Sequence, residues 1–523
     1  MIRHCPKASE SWKGLPWKKF QKDLFRLQRR VYEAVQAGDM RKAKSLQKLI
    51  LKSSSSRYLA IRQVTQLNAG KKTPGIDGKA SLSYSERFRL NDRLKSSAKE
   101  WKHQALREIP IPKKDGSIRI LKVPTMSDRA WQCHVKNAIE PAHEAGFNAR
   151  SYGFRPGRST QDAQKLIFLN LKSTANGREK RILELDIEKC FDRINHSIIL
   201  LKLIAPSNIK TGILRCLKAG VNVEYPEQGT CQGGVISPLL ANVALNGVEE
   251  IHQSVRYADD MVFFLKPEDD ANRLSDKISE FLAQRGLNIS QKKTKVTAAT
   301  DGFNFLGWHF KVQRNGKFRS TPSEENYKAF RNKVKTIVNS SNHGAIKKAK
   351  KLAPIVRGWK NYHRHCKMKG GRHSLFHLQR RTARVFGKEA KINRMTSKKL
   401  LENAFPKVSY SENKHVNVRG EKSPFDGDIV YWSRRNSKLY DGPTSTALKR
   451  QNHACGHCRL QMLNDERIQL HHIDGNRHNG KWNNLVALHQ SCHQYIHMCK
   501  NTEHRELSAV KIACSDLKGR SGE

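Results

Sequence analysis

Two adjacent acids, Asp259 and Asp260, stand in the stretch SVRYADDMVFF (254–264), between Val255 and Tyr257 on one side and Met261, Val262, Phe263 and Phe264 on the other. Like charges side by side at the edge of an apolar run cost free energy unless something neutralises them. The pattern reads as strand, acidic tip, strand, and carboxylates on a rigid hairpin suit a divalent cation such as Mg2+. It suits equally a solvated turn whose acids do no chemistry. A second double acid, Asp269-Asp270, follows Pro267 and precedes a helical pattern. Those two read as helix N-terminal acids beside exposed backbone N–H groups.

A third acid stands in ILELDIEKCFDRINH (182–196), where Leu183, Leu185 and Ile187 alternate with Glu184 and Asp186. This is a strand with one apolar face, and Asp186 belongs to the other. Asp186, Asp259 and Asp260 on neighbouring strands would give the arrangement that two Mg2+ ions need to flank an in-line phosphoryl displacement. One ion would lower the pKa of an attacking 3′-hydroxyl and the other would stabilise the pyrophosphate leaving group.

A different chemistry is spaced along the C-terminal part. Cys455 and Cys458 form a short knuckle, and HQSC (489–492) follows. Cys455, Cys458, His489 and Cys492 make a four-ligand set with paired short spacings, as a closed structural Zn2+ site requires. His493 and His497, four residues apart, share one face of a helix.

The elements that must position these groups can be read from periodicity. Residues 17–50 form basic amphipathic helices, with Phe20, Leu24, Leu27 and Val31 at helical spacing. NAGKKTPGIDG (68–78) is a loop. Strand and helix patterns alternate from about 100 to 310, in α+β fashion. The pattern is helical and basic from about 320 to 395, with AIKKAKK at 345–351, then polar and irregular over 396–445. Lys and Arg total 98 against 47 acids, a net charge of +51 spread along the chain, which points to a polyanionic partner, nucleic acid above all. The chain shows no long apolar segment and no secretory signal core, which argues against a membrane protein. The cysteines are mostly single, as at Cys5, Cys133, Cys190, Cys216, Cys231 and Cys366, which argues against a disulfide scaffold and for a reducing compartment.

The order of blocks resembles a group II intron-encoded reverse transcriptase/maturase. The series is NAGKKTPGIDG, IPIPKKDGSIRILKVPTMSDRAWQ (109–132), SYGFRPGRSTQDA (151–163), LDIEKCFDRINH, GTCQGGVISPLLANVALN (229–246), YADD, GLNISQKKTK (286–295), FNFLGW (303–308) and APIVRGWKNYHRH (353–365). The last resembles the family's maturase signature, domain X. QLHHIDGN (469–476), NNLVAL (483–488) and CHQYIH (492–497) resemble an HNH, or ββα-metal, nuclease, and GEKSPFDGDIVYWSRR (420–435) resembles the DNA-binding segment that leads into it.

The resemblance implies an α+β fold: a right-hand polymerase with fingers, palm and helical thumb, then a small ββα-metal HNH domain. Its segments would be an N-terminal extension (1–80), fingers and palm (81–315), thumb/domain X (316–395), a DNA-binding region or linker (396–445), the HNH endonuclease with its zinc site (446–500) and a tail (501–523). Asp186, Ile187, Asp259 and Asp260 would hold two Mg2+ ions. Lys113 and Arg119 would contact the triphosphate, Phe191 would reject ribonucleotides by bulk, Gln232 with Gly233 and Gly234 would line the nucleotide pocket, and Lys293 would sit near the primer end. His472 would be the nuclease base, Asn484 would orient its loop, and His471, His493 and His497 would hold one divalent ion. Trp359 and Tyr362 fit RNA stacking and core packing equally.

The activity implied is RNA-directed DNA synthesis by a protein that binds its intron RNA and assists splicing. Mobility would follow by target-primed reverse transcription from a nick made by the nuclease. The partners implied are intron RNA, target DNA and dNTPs, with no membrane and no obligatory protein partner, in a bacterial cytoplasm beside the nucleoid or in an organelle. Two features depart from the family. Cys231 stands where Pro is usual, and the stretch between VALNGVEE and VRYADD is short. A degenerate maturase would lack the three acids, and a retron-type polymerase would lack the nuclease motifs.

Overall fold

A computed structural model describes residues 8–97, 100–112, 116, 118–220, 226–368, 373, 375–390, 394–440, 442–462, 468–476 and 479–499. Lys113 and the expected tail over 501–523 lie outside them.

The amphipathic N-terminal segment folds as helices Trp17–Gln36 and Met40–Lys52, burying Phe20, Leu24 and Val31 as their spacing predicts. Together with helix Ser54–Arg62 they pack on helix Met126–Glu144, whose Trp131, Val135 and Ile139 are fully buried. Arg129 of that helix donates to the carbonyls of Gly70 and Thr73, which ties the 68–78 loop to the body.

Among the described residues eleven strands are numbered in chain order. β1 (Arg107–Pro112) and β2 (Ile118–Val123) form a solvent-exposed hairpin. β3 (Arg181–Leu185), β4 (Ser254–Tyr257), β5 (Asp260–Leu265) and β6 (Lys295–Ala298) make an antiparallel sheet in the order β4-β5-β3-β6. β7 (Phe303–Phe305), β8 (Trp308–Val312) and β9 (Phe318–Pro322) make a second sheet. β10 (Ile468–His472) and β11 (Leu485–His489) pair near the C-terminus.

The strand expected to bury one face buries two. Leu183 and Leu185 join Met261, Phe263 and Leu265 in the helical core, while Ile182 joins Val262 and Phe264 in a second core against helix Thr160–Leu171 and the β7–β9 sheet. The central sheet is thus clamped from both sides, and a continuous apolar run such as MVFFL reads better as a doubly buried strand than as an alternating one.

FNFLGW forms the tight turn between β7 and β8, with Leu306 and Gly307 both at positive φ, as a two-residue hairpin turn of matching twist demands. Its Trp308 stacks on Tyr362 at 4.5 Å, and Trp359 stacks on Phe330 at 4.3 Å. Tyr362 donates to the Leu306 carbonyl and Trp359 to Asn326. Both rings of the maturase signature are therefore committed to a joint between the β7–β9 sheet and the helices that follow, Glu324–Asn339, Ala345–Tyr362 and Phe376–Ala390. Helix Arg394–Ala404 packs on two of these, so the helical block runs past residue 395, and the stretch over 396–445 expected to be irregular carries helix Ile429–Leu439 as well.

Replacing Tyr362 by Leu removes a ring stack and a hydrogen bond, and should cost about 2–4 kcal/mol of stability. Affinity for structured RNA, measured well below the thermal midpoint, should stay unchanged. An unchanged midpoint with weakened RNA binding would put the ring on RNA instead.

Candidate active sites

The acidic stretch is a hairpin whose two-residue tip is Ala258-Asp259, closed by the pair Tyr257–Asp260. Ala258 sits at φ 61°, a left-handed conformation that costs a residue with a Cβ about 1–2 kcal/mol. Two contacts hold it there. Arg256, wholly buried, pairs with Glu249 and donates to Asn242 and to the Ala258 carbonyl. From the other side Gly153 lies so close that a Cβ there would stand 2.3 Å from the Ala258 nitrogen. The Tyr152 N–H donates to the Arg256 carbonyl at 2.9 Å, so SYGF rides as an extra edge on β4.

β3 ends opposite β5 with Leu185 facing Met261. The next residue on each side of that register is Asp186 and Asp260, and the hairpin tip adds Asp259. The three acids expected to act together thus share one end of the sheet. Ile187 is buried, bridged to Ile289, and has its side chain in the core, so only its backbone could serve a metal. Of Asp269-Asp270, Asp270 behaves as the sequence suggests, capping helix Ala271–Ala283 by accepting from the Asn272 and Arg273 N–H groups, while Asp269 instead accepts from the Lys266 N–H and pairs with His252.

The electrostatics of the cluster follow from crowding. Burial raises the Asp259 pKa and Asp186 raises it further, while Arg119 and Lys293 pull it back. Asp260 is reached by water but stands beside two other acids. Desolvation, then Asp259 and Asp186, push it up to about 7. Lys293 pairs with Asp186 at 2.5 Å and so stands where a cation is needed. Crowded carboxylates that draw in an ammonium are a donor set that fits a divalent ion.

Around the acids, Arg119 extends from β2 and is exposed. Phe191 is half-buried against the helical core. Gln232 donates to Asp192 at 3.4 Å. Gly233 does something the sequence did not specify: a Cβ there would stand 2.4 Å from the Lys122 carbonyl, so the glycine seats this loop on the β1–β2 hairpin. The loop keeps its turn without the family's proline. Cys231 is buried, its carbonyl accepts from the Gly234 N–H at 3.0 Å, and Gln132 receives the Val235 N–H at 2.7 Å.

In the C-terminal part, β10, β11 and helix Gln490–Cys499 form a ββα unit. Ligand atoms of Cys455, Cys458, His489 and Cys492 all lie within 4.8 Å of one another, and so do those of His471, His493 and His497. Cys458 holds Cys455 well below the usual thiol range, while Cys455 in turn pushes Cys492 up. The shared cause is several sulfurs competing for one pocket, which suits a soft cation. His472 ends β10. The loop after it is pinned by Asn484, which donates to Asp474 at 2.9 Å and receives the Asp474 N–H at 3.0 Å, while the Ile473 N–H reaches its carbonyl.

Sequence reasoning gave no role to Arg256, Gly153, Asp162 or Asp474. Arg256 had a signal, a charge inside an apolar strand. Asp162 had another: Ser159 and Asp162 are spaced as a capping box and form one.

A family model for reverse transcriptase (RNA-dependent DNA polymerase) matches residues 111–310, one for the N-terminal domain of reverse transcriptase matches 12–94, and one for the group II intron maturase-specific domain matches 327–401. The chain is 40% identical over 408 residues to a maturase-like protein 1 of Euglena gracilis, covering 76% of this chain and 89% of that one. It is 28% identical over 342 residues to protein YkfC of Escherichia coli, covering 54% and 89%. To the group II intron-encoded protein LtrA of Lactococcus lactis it is 26% identical over 346 residues, covering 50% and 56%. The fold is that of a reverse transcriptase, with mixed helices and sheets. The chain belongs to the reverse transcriptase and maturase family of group II introns, a family of RNA-directed DNA polymerases. The Cys/His clusters stand outside the three matched spans.

A carboxyl pKa raised in the fold means that the native state binds the proton more tightly than the unfolded chain. For Asp260 this contribution is lost as pH rises from the ordinary value of 3.8 through about 7. Metal-free protein should lose stability over that window, and Mg2+ should raise the thermal midpoint more at pH 8 than at pH 5. Equal shifts at both pH values would contradict a metal role for the cluster.

Proposed function

We propose that the protein is a group II intron retroelement enzyme with two chemistries in one chain, RNA-directed DNA synthesis and DNA nicking, and that it also helps its intron RNA to splice. The polymerase reading is carried by Asp186, Asp259 and Asp260 at one sheet end. These acids would hold two Mg2+ ions, which when bound supply an activated 3′-hydroxyl and a stabilised pyrophosphate. Arg119, beside Asp259, would take the triphosphate, with its forked donors suited to phosphate, and Lys113 would join it. Phe191 would exclude a 2′-hydroxyl, Gln232 and Gly233 would border the nucleotide, and Lys293 would move from Asp186 to the primer end as metal enters.

The nuclease reading is carried by one observation: three imidazoles, His471, His493 and His497, converge on a ββα unit beside a separate Cys/His set. A structural zinc module needs only Cys455, Cys458, His489 and Cys492; the second cluster and the pinned loop exceed it. His472 would take the proton from the attacking water, with Asn484 and Asp474 fixing its loop. The other histidines would hold one divalent ion against the scissile phosphate. Target DNA and intron RNA are the polyanions that the charge of +51 serves. Their binding should be steeply salt-dependent. Among the described residues no helix is long and apolar enough to cross a membrane. A bacterial cytoplasm beside the nucleoid, or an organelle, suits these partners.

His472→Ala should fold, keep its zinc, lose DNA nicking and still extend a supplied primer. Cys455→Ser should release zinc and loosen the whole ββα unit, since a small domain built around Zn2+ takes much of its folding energy from the metal. Zinc content, nicking and primed extension measured on both variants separate the roles. Persistent nicking by His472→Ala would reduce the clusters to a plain metal-binding module.

A further inference from the structure

The segment that the sequence suggested as DNA-binding is largely occupied by the protein itself. Asp162, fully buried at the start of helix Thr160–Leu171, accepts from Arg435 at 2.7 Å, from His415 at 3.1 Å and from the Val418 N–H at 3.0 Å. Arg435 also donates to the Gly157 carbonyl. Trp432 is buried and seated on Gly157, where a Cβ would stand 2.6 Å from the indole, and its N–H donates to the Ser423 carbonyl. Arg158 donates to the carbonyls of Gly420 and Lys422.

Apart from the bond between Trp432 and Ser423, each of these contacts joins the 415–435 segment to 151–163, the block whose Gly153 props the tip of the acidic hairpin. Trp432 and Arg435 belong to helix Ile429–Leu439. The very next residue, Asn436, is wholly buried and donates to the Met462 carbonyl, beside the Cys455 knuckle. The same helix packs on helix Gly442–Arg450, part of the zinc-site core. One helix therefore anchors both the block behind the polymerase acids, through Trp432 and Arg435, and the metal module, through Asn436.

We infer that helix Ile429–Leu439 is a strut that sets the polymerase acids and His472 in a fixed relation, so that a nicked DNA 3′ end passes from one site to the other without leaving the protein. This rests on the two activities proposed above. The chemistry is matched. Hydrolysis joins a water oxygen to phosphorus, with its proton taken by His472, and breaks the P–O3′ bond. The departing oxygen picks up a proton from solvent, leaving a 3′-hydroxyl and a 5′-phosphate. That hydroxyl is the nucleophile DNA synthesis needs: it loses its proton, attacks the α-phosphorus of a dNTP and releases pyrophosphate. Asp162 and Arg435 touch no substrate; they are positioning residues.

The test is a flexible Gly-Ser insertion between Leu439 and Gly442 in the full chain, which leaves the Asp162 cluster intact. Nicking of target DNA, extension of a supplied primer on RNA, and cDNA primed from the protein's own nick under excess competitor primer–template are measured. Losing an intramolecular hand-over lowers effective concentration, so the coupled reaction should fall about ten-fold or more while the separate activities hold within about two-fold. Coupled synthesis that withstands competitor as the native protein does would overturn the strut. If the native protein makes no nick, the nuclease reading fails instead. Hydrogen exchange then still decides the strut: Asp162→Asn should speed exchange in 151–162 and in 446–462 alike, and a change confined to 415–436 would overturn it.

Discussion

Three carboxylates at the end of one sheet repel one another, and nothing in the local sequence relieves that. The repulsion is visible in Asp259 and Asp260, both pushed toward protonation by burial and by their acidic neighbours. A fold that keeps such a cluster must hold it by other means. The sheet is clamped between two apolar cores, so its strands cannot splay. Arg256 grips the hairpin tip from one side and Gly153 leaves room for a second strand edge on the other. Lys293 and Arg119 supply positive charge beside it.

Acids are scarce in so basic a chain, and several are spent as internal fasteners rather than on the surface. Glu249 with Arg256, Glu144 with Arg155, and Asp162 with Arg435 are all nearly water-free. Buried pairs of this kind add little net stability against a well-packed apolar substitute, but removing one partner costs about 3–5 kcal/mol. Their value here is directional. Asp162 with Arg435 spans 273 positions of chain while the other two pairs are local, and together they fasten the acidic hairpin, the 151–163 block and the 410–435 segment.

Periodicity and punctuation made much of this legible. The amphipathic helices, the acidic hairpin, the helix cap at Asp270 and the paired Cys/His spacing could each be read from local pattern, because local rules set them. The shared end for Asp186 and the hairpin acids followed from strand pattern plus the resemblance. What stayed hidden was long-range. Alternation at Leu183 and Leu185 could not announce that Ile182 meets a second core. Trp359 and Tyr362 read equally as RNA platform or joint until their partners Phe330 and Trp308 were known. Residues 396–445 look irregular because their helices are short and basic, and their anchors, Asp162 and Gly157, lie more than 250 positions away.

The metal role proposed for Asp259 implies that the fold keeps this acid at a cost. Replacing it by Asn removes charge without changing shape. Thermal unfolding of metal-free protein at pH 8 and primer extension on an RNA template with Mg2+, measured on the same Asp259→Asn preparation, test it directly. Thermal stability equal to or above that of the native protein, with extension abolished, is the result the account predicts. Near-normal extension, or a large loss of stability, would contradict it.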